Sequence, residues 1–463
     1  MTVPAVLVLA AGEGTRMKSS LPKVLHEAAG EPLLEHVFRA AAPLRGPVGV
    51  VVGHGAERVR ERYAGRCLFF LQKRRLGSGD AVKSAAAWLK RRGGDVVVLC
   101  GDAPLIRPGT LKRLTAVHRR EKNAVTLLTA RVSDPFGYGR IVRDAVGRPR
   151  AIVEHRDATP EQRRIDEINS GMYCFRAKDL RAALKRLRPD NEKKEYYLTD
   201  AVAFLADRGR PVGALCLDSE EEVLGVNRRS ELAAADKILR RRTLEKLMAA
   251  GVTVVDPDST YVDAGVRVGR DTVLYPQTFL KGRTAVGRGG RIGPFSFLQD
   301  CRVGDDAELR AVFAYGSVVG PGARVGPFTH LRPGTRIGAG ARVGNFVETK
   351  NSRVGPKSKV SHLSYVGDAV LGADVNVGAG AITCNYDGFR KHRTHIGSGA
   401  FVGSNANLVA PVRVGRGAIV GAGSTIVRDV PADALALERA TEIVKKGWAR
   451  RKRRELARIK AAE

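Results

Sequence analysis

The stretch "LAAGEGTRMKSSLPK", residues 9–23, joins a glycine-rich turn to two cations, Arg16 and Lys23. Glycine lets backbone N–H groups approach an anion closely, so such a turn suits a phosphate. Three patterns compete for it. The dinucleotide fingerprint G-x-G-x-x-G fits Gly12 and Gly14 and fails at Met17. The P-loop, G-x-x-x-x-G-K-[ST], fits Gly12, Lys18 and Ser19, with Met17 again in place of glycine. A P-loop needs a helix that starts at its Lys-Ser pair, so that the first N–H groups meet the phosphates. Pro22 follows within the first turns and pushes Leu21 out of helical space, which breaks that helix. The third pattern is a longer loop with separate cations at Arg16 and Lys23. It suits a nucleoside triphosphate held by backbone donors, with Arg and Lys stabilising charge on the transferred phosphoryl group.

Other residues could serve chemistry only in context. Asp102 closes "DVVVLCGD", which imitates a Walker B strand, and Asn227 closes "LGVN". A strand-end Asp is as readily a turn cap. His362 in "SHLSYVGD" has a side chain suited to general-base work near neutral pH, yet a lone histidine is often structural. The six cysteines are scattered, with no C-x-x-C pair. They fit neither a disulfide framework nor a zinc site and suit a reducing cytoplasm.

These residues need elements to hold them. Up to about residue 226 the chain alternates strand-like and helix-like segments. Apolar runs lie at 3–9, 48–52, 96–99, 125–128 and 172–175, with amphipathic stretches at 32–42 and 79–91 between them. Such alternation predicts a mainly parallel, Rossmann-like α/β sheet covered on both faces. Phosphate ligands then belong at the carboxyl ends of the strands. Residues 228–250 read as one charged linker helix ended by Gly251. Beyond it, pairs of the form aliphatic–Gly recur from Val268-Gly269 to Val420-Gly421, many of them six residues or a multiple of six apart. A hexapeptide repeat of this kind predicts a β-helix, three repeats to a triangular coil. The break between Gly378 and Ile396 predicts a protruding loop. The expected domains are therefore 1–227, a linker helix 228–250, a β-helix 251–434 and a basic tail 435–463.

The 463 residues give room for two or more domains, and 43% hydrophobic with 27% charged residues reads as a soluble globular protein. The first apolar run is too short to span a bilayer and lacks a basic n-region, so neither a signal peptide nor membrane insertion is expected. The formal net charge of +31 passes the first test for a nucleic-acid binder. The basic residues are spread along the chain, however, and only "KKGWARRKRRELARIK" is dense. Surface bias plus anionic small substrates is the reading we adopt, with no nucleic acid expected.

"GEGTRM" followed by "PK" resembles the signature of sugar nucleotidyltransferases, G-x-G-T-R-[ML] and then P-K. Together with "HLSYVGDAVLG", "NVGAGAITCNYDG" and "FVGSNANLVAPV", the chain resembles one family over nearly its whole length. That family comprises the bifunctional N-acetylglucosamine-1-phosphate uridyltransferases and glucosamine-1-phosphate N-acetyltransferases. The resemblance implies a left-handed β-helix and two reactions that make UDP-N-acetylglucosamine for cell-envelope polymers. It assigns phosphate stabilisation to Arg16 and Lys23, and nucleotide contacts to Leu9, Ala10, Ala11 and Gly12. It places Mg²⁺ on Asp102 and Asn227, sugar contacts at Gly139, Glu154 and Asn169, and uracil reading at Gln72, Gly77 and Ser78. Arg75, Ser78 and Asp80 depart from the usual carboxamide, threonine and histidine, which leaves uridine contact open.

For acetyl transfer the resemblance makes His362 the general base and Arg332 and Lys350 the grip on the sugar phosphate. Tyr365, Asn376 and Asn385 are further sugar or reaction-centre contacts, and Lys391 corresponds to a residue supplied by a neighbouring subunit. Acetyl-CoA contacts map onto Ala379, Asn385, Tyr386, Ser404, Ala422 and Arg439. The resemblance also implies a homotrimer. Two alternatives stand beside this reading: a sugar-1-phosphate nucleotidyltransferase whose β-helix is not catalytic, and a basic nucleic-acid-binding protein. His362, Asn385, Tyr386 and Lys391 argue against the first, and the lack of any nucleic-acid-binding motif against the second.

Overall fold

In the computed structural model, which describes residues 3–217 and 219–461, the apolar runs of the first half assemble into one sheet of nine strands. They are β1 (Ala5–Ala10), β2 (Val48–Val52), β3 (Leu68–Leu71), β4 (Asp95–Cys100), β5 (Val125–Arg131), β6 (Arg140–Arg143), β7 (Pro149–Val153), β8 (Glu167–Arg176) and β9 (Val212–Leu217). The main order is β9-β5-β8-β4-β1-β2-β3, with the β6–β7 hairpin attached to β8. β1 runs parallel to β2 and β4, while β8 is antiparallel to both β4 and β5. The chain thus winds from β1 to one side, then crosses to β4 on the other. In open sheets of this kind ligands bind at the carboxyl ends of the strands, where such a reversal occurs.

Alternating side chains of each central strand enter two separate cores. Leu7, Val96 and Val98 pack with the helices Ser78–Lys83 and Ala86–Lys90; Val6, Val8, Val97 and Leu99 pack with Leu33–Ala41. Both faces being apolar explains the unbroken hydrophobic runs. The stretch expected as one helix over 79–91 is two, because the hydrogen bonds tighten at Ser84 and Ala85 to partners three residues back. A long helix, Arg229–Ala249, buries only Ala235 and Leu244.

The chain divides into two units. The first extends to Glu245 and takes in Val262–Ala264; the second comprises Lys246–Tyr261 and the chain from Gly265 onward. The second unit is a left-handed parallel β-helix whose coils contribute to parallel sheets of eleven, ten and nine strands. Ile292, Val303, Val319, Val325, Ile337, Val343 and Val354, each preceding a glycine, all point inward and are buried. The glycines sit where coils meet most closely: a Cβ on Gly320 would lie 2.7 Å from the Ala339 nitrogen. The break in the repeat is the loop between strands Ile382–Cys384 and Thr394–Ile396. Stacking runs past residue 434, since Leu435–Ala436 pairs with Ile419–Val420. The segment expected as a basic tail carries a helix, Trp448–Lys460, with no buried residue. Among the described residues no helix is long and apolar enough to cross a membrane.

Candidate functional site

The loop after β1 follows the turn its glycines and proline dictate. Gly14 is left-handed (φ 66°), Thr15–Met17 makes one 3₁₀ turn, and Lys18 (φ 47°) ends it. Pro22 is extended (ψ 135°) and leads into a second short turn, Lys23–Leu25. No α-helix starts at Lys18, so the P-loop reading fails on the geometry that Pro22 forbids. Met17, which replaces the P-loop glycine, is buried against Leu33, Leu105 and Val226 and anchors the loop. A Cβ on Gly14 would lie 2.8 Å from the Lys23 Cβ, so the glycine lets the lysine stem lie against the turn.

Lys23 reaches back to the ends of two other segments. Its ammonium pairs with the Asp102 carboxylate, just beyond β4, and donates to Asn227 Oδ1 at 3.0 Å. The Val226 N–H donates to the Asp102 carbonyl (2.8 Å), and the Asn227 N–H to the Glu231 carboxylate (2.5 Å), which ties down the backbone beside both acceptors. The Gly101 N–H donates to the Leu9 carbonyl (2.9 Å), holding the β1 and β4 ends side by side. Two hard oxygens that already share one cation suit Mg²⁺, which keeps several waters and needs few protein ligands. Among the described residues no group of three or more His, Cys, Asp or Glu forms a denser metal cage. Ala10 and Ala11 are buried at the strand end, and Gly12 is open, with nothing within 4 Å of a Cβ. Arg16 is exposed on the 3₁₀ turn and stands outside the Lys23 cluster.

Three further groups line the same sheet ends. Gln72 is buried, and its carboxamide nitrogen donates to the Gly77 carbonyl (3.1 Å) and the Asp80 carboxylate (2.9 Å). Ser78 Oγ accepts from the Leu198 N–H at 3.0 Å, which pins this segment. Arg75 forms an ion pair with Glu13 of the phosphate loop, so that departure from the family pattern closes onto the loop itself. Gly139, Glu154 and Asn169 come together: the Asn169 N–H donates to the Gly139 carbonyl (2.9 Å), and a Gly139 Cβ would lie 3.5 Å from Glu154 Oε2. Burial raises the Glu154 carboxyl above its ordinary value. Asn169 is oriented by Tyr173, whose hydroxyl accepts from its Nδ2 at 2.8 Å.

In the β-helix the candidate residues occupy neighbouring coils. Arg332 follows strand Thr329–Leu331 and donates to Glu348 Oε1 at 2.9 Å; Glu348 is paired in register with Tyr365. His362 is exposed at the end of Lys359–His362, opposite Asn345, and Asn376 pairs with Lys359 of the same strand. A Cβ on Gly367 would fall on the Tyr365 hydroxyl, so the ring lies over that glycine. Within this chain the like charge of Lys391 lies close to Lys350 and lowers its pKa most, with burial and then Arg332 adding to the effect. The Lys391 loop is braced by Asp387, which accepts from the N–H groups of Arg390 (2.6 Å) and Phe389 (2.8 Å) and from His392 (2.7 Å). The Arg390 N–H, with His392 and Phe389, brings Asp387 down to about 2. Tyr386, at the base of the loop, is exposed.

Ala379, Ser404 and Ala422 form a column. Each stands two residues after Val377, Val402 or Val420, which pair in register from coil to coil. Glycine precedes each of them, and a Cβ on Gly421 would lie 3.5 Å from the Arg439 guanidinium. The result is a narrow shelf of small residues with one cation at its end.

Sequence reasoning missed two carboxylates, Glu348 and Asp368, and named Asp80 only as a departure without a role. Asp368 is buried and accepts from Asn351 Nδ2 and Asn385 Nδ2, both at 2.6 Å. Burial raises its pKa, but the two carboxamides and the charges of Lys391 and Lys350 outweigh this and hold it low. Its place in "SYVGD" was visible; its two partners, each 17 residues away, were not.

Residues 6–202 match the MobA-like NTP transferase domain family, and 316–351 and 393–428 match the six-repeat bacterial transferase hexapeptide family. The chain is 52% identical over 467 residues to the bifunctional protein GlmU of Thermobifida fusca, covering 99% of this chain and 96% of the relative. It is 48% identical over 458 residues to that of Pelobacter propionicus, covering 96% and 97%. With two folds, two clusters and end-to-end similarity of this extent, the chain belongs to the family of bifunctional GlmU proteins.

Proposed function

We propose that the chain makes UDP-N-acetylglucosamine in two steps, acetyl transfer in the β-helix and uridylyl transfer in the α/β unit. The observation that carries this reading is the presence, in one chain, of a triphosphate-type loop closed by Lys23, Asp102 and Asn227 and a coil-borne cation pair, Lys350 and Lys391. In the first step the amine of glucosamine-1-phosphate attacks the thioester carbonyl of acetyl-CoA. His362 takes the amine proton, and coenzyme A leaves as the thiol. Arg332, Lys350 and Lys391 hold the sugar phosphate. Asn385, fixed by Asp368, and Tyr365 and Asn376 orient the sugar. The shelf of Ala379, Ser404 and Ala422, with Tyr386 and Arg439, receives the coenzyme.

In the second step a phosphate oxygen of N-acetylglucosamine-1-phosphate attacks the α-phosphorus of UTP and pyrophosphate leaves. Positioning and charge neutralisation dominate such transfers. Lys23 and Arg16 supply charge at the phosphates, residues 9–12 the backbone contacts, and Gly139, Glu154 and Asn169 the sugar contacts. Gln72, Gly77 and Ser78 face the base. Asp102 and Asn227 would hold Mg²⁺, which neutralises phosphate charge when bound. The reading includes a homotrimer and a cytoplasmic location; the repeat family and the unpaired cysteines support these.

Incubating the protein with glucosamine-1-phosphate, acetyl-CoA, UTP and Mg²⁺ should release both free thiol and pyrophosphate. His362→Ala should abolish thiol release and spare uridylylation of supplied N-acetylglucosamine-1-phosphate. Release of neither product by the unaltered protein would sink the reading.

A further inference from the structure

Gln72 continues β3, its backbone N–H donating to the Val52 carbonyl at 2.9 Å, and its side chain is buried. The carboxamide nitrogen Nε2 donates to the Gly77 carbonyl (3.1 Å) and to Asp80 Oδ2 (2.9 Å). Both partners are acceptors only. Turning the carboxamide over would set Oε1 against two acceptors, so the surroundings decide which end faces them. Both N–H donors are thereby engaged, and Oε1 is the polar atom left for a ligand. It can only accept.

The two acceptors sit on fixed backbone. Gly77 has φ 99°, a region closed to side chains, and a Cβ there would lie 2.6 Å from the Tyr196 carbonyl. Asp80 lies in the first turn of Ser78–Lys83, which is pinned by the Gly79 N–H to the Tyr196 carbonyl (2.8 Å) and by the Leu198 N–H to Ser78 Oγ (3.0 Å). Arg75 is paired with Glu13.

We infer that Asp80 is a positioning residue for base selection: by holding Gln72 Nε2 it presents Oε1 as an obligate acceptor to the base. Uracil carries a proton on N3 and can donate to such an atom. Cytosine has a bare acceptor at N3 and is rejected by it. The inference rests on the reading of Gln72 as the base-recognising carboxamide.

The test compares UTP with CTP as substrate for N-acetylglucosamine-1-phosphate, following pyrophosphate release. Both nucleotides are compared on one preparation, so the ratio does not depend on the fraction of folded protein. Asp80→Asn offers Gln72 either a donor or an acceptor and leaves the Gly77 carbonyl as the one acceptor-only partner, which weakens the preference for one orientation. It should lower the ratio of kcat/KM for UTP over CTP by about 10-fold or more, since selectivity of this kind depends on a fixed hydrogen-bonding group. Asp80→Glu keeps a carboxylate and should retain most of the ratio, whereas Gln72→Ala should collapse it. An unchanged ratio in Asp80→Asn with a lowered one in Gln72→Ala overturns the positioning role alone. Unchanged ratios in both overturn the reading of Gln72 as well. An equal loss in Asp80→Asn and Asp80→Glu would show a merely structural residue. Should Asp80→Asn not fold, Asp80→Ser removes the acceptor-only group with a smaller side chain and is judged by the same ratio.

Discussion

Lys23 joins three segments through one ammonium: the loop that bears it, the end of β4 at Asp102, and Asn227 ahead of the long helix. Lys23→Ala removes that cation from the phosphates and leaves Asp102 without its partner. Uridylyl transfer should fall by about 10²–10³-fold in kcat/KM, the scale of losing one preorganised electrostatic group. Thiol release in the acetyl reaction should be unchanged, and a parallel loss of both would contradict the assignment. Lys350 offers a pH test. The like charge of Lys391 holds its pKa below that of an ordinary lysine, so it sheds its proton, and its hold on an anion, earlier as pH rises. The KM for glucosamine-1-phosphate should therefore climb on the alkaline side. Lys391→Ala should weaken binding generally yet move that climb to higher pH; an alkaline limb that stays in place would rule out the coupling. Residues such as Lys23 and Asp102 were legible because each follows an apolar strand in a recognisable motif. Glu348 and Asp368 were not, and Asp80 showed only as a departure, because each acts through partners that only the fold brings near.

At the level of elements, the aliphatic–Gly pairs disclosed two of the three inward columns of the β-helix. The third, which includes Leu280, Leu298, Leu331, Thr349, Val366, Thr383 and Leu408, shows the pair in this set only at Val366-Gly367 and was largely hidden from that pattern. The direction of β8 was equally hidden, since an apolar run has the same periodicity whichever way it pairs. The third column turns polar beside the candidate acetyl site. Thr383 is buried; its hydroxyl accepts from the Gly367 N–H at 2.8 Å and donates to the Gly367 carbonyl at 3.0 Å. Thr383→Val keeps the shape but strands that N–H, which should cost about 1–3 kcal/mol in chemical denaturation. Because the Tyr365 ring lies over Gly367, acetyl transfer should also fall while uridylyl transfer holds. Wild-type stability in Thr383→Val would show that the hydroxyl is not needed to satisfy this coil.

On the scale of the whole molecule, strand–helix alternation gives way to a glycine-punctuated repeat, and the chain divides into two units within the long helix. Each candidate site is built within a single unit: Lys23, Asp102 and Asn227 belong to the first, and Arg332, Lys350, His362 and Lys391 to the second. Neither set borrows a side chain from the other, so each reaction should survive loss of its counterpart. The product of the first step, a small dianionic sugar phosphate, can then travel through solution. A mixture of the Lys23→Ala and His362→Ala proteins should accordingly convert glucosamine-1-phosphate, acetyl-CoA and UTP into UDP-N-acetylglucosamine, although neither variant does so alone. The product should appear after a lag, while the intermediate accumulates towards the KM of the second site. Adding N-acetylglucosamine-1-phosphate at the start should abolish that lag. A mixture that stays inactive, although each variant retains its untouched activity, would mean that the intermediate is passed within one assembly and never released.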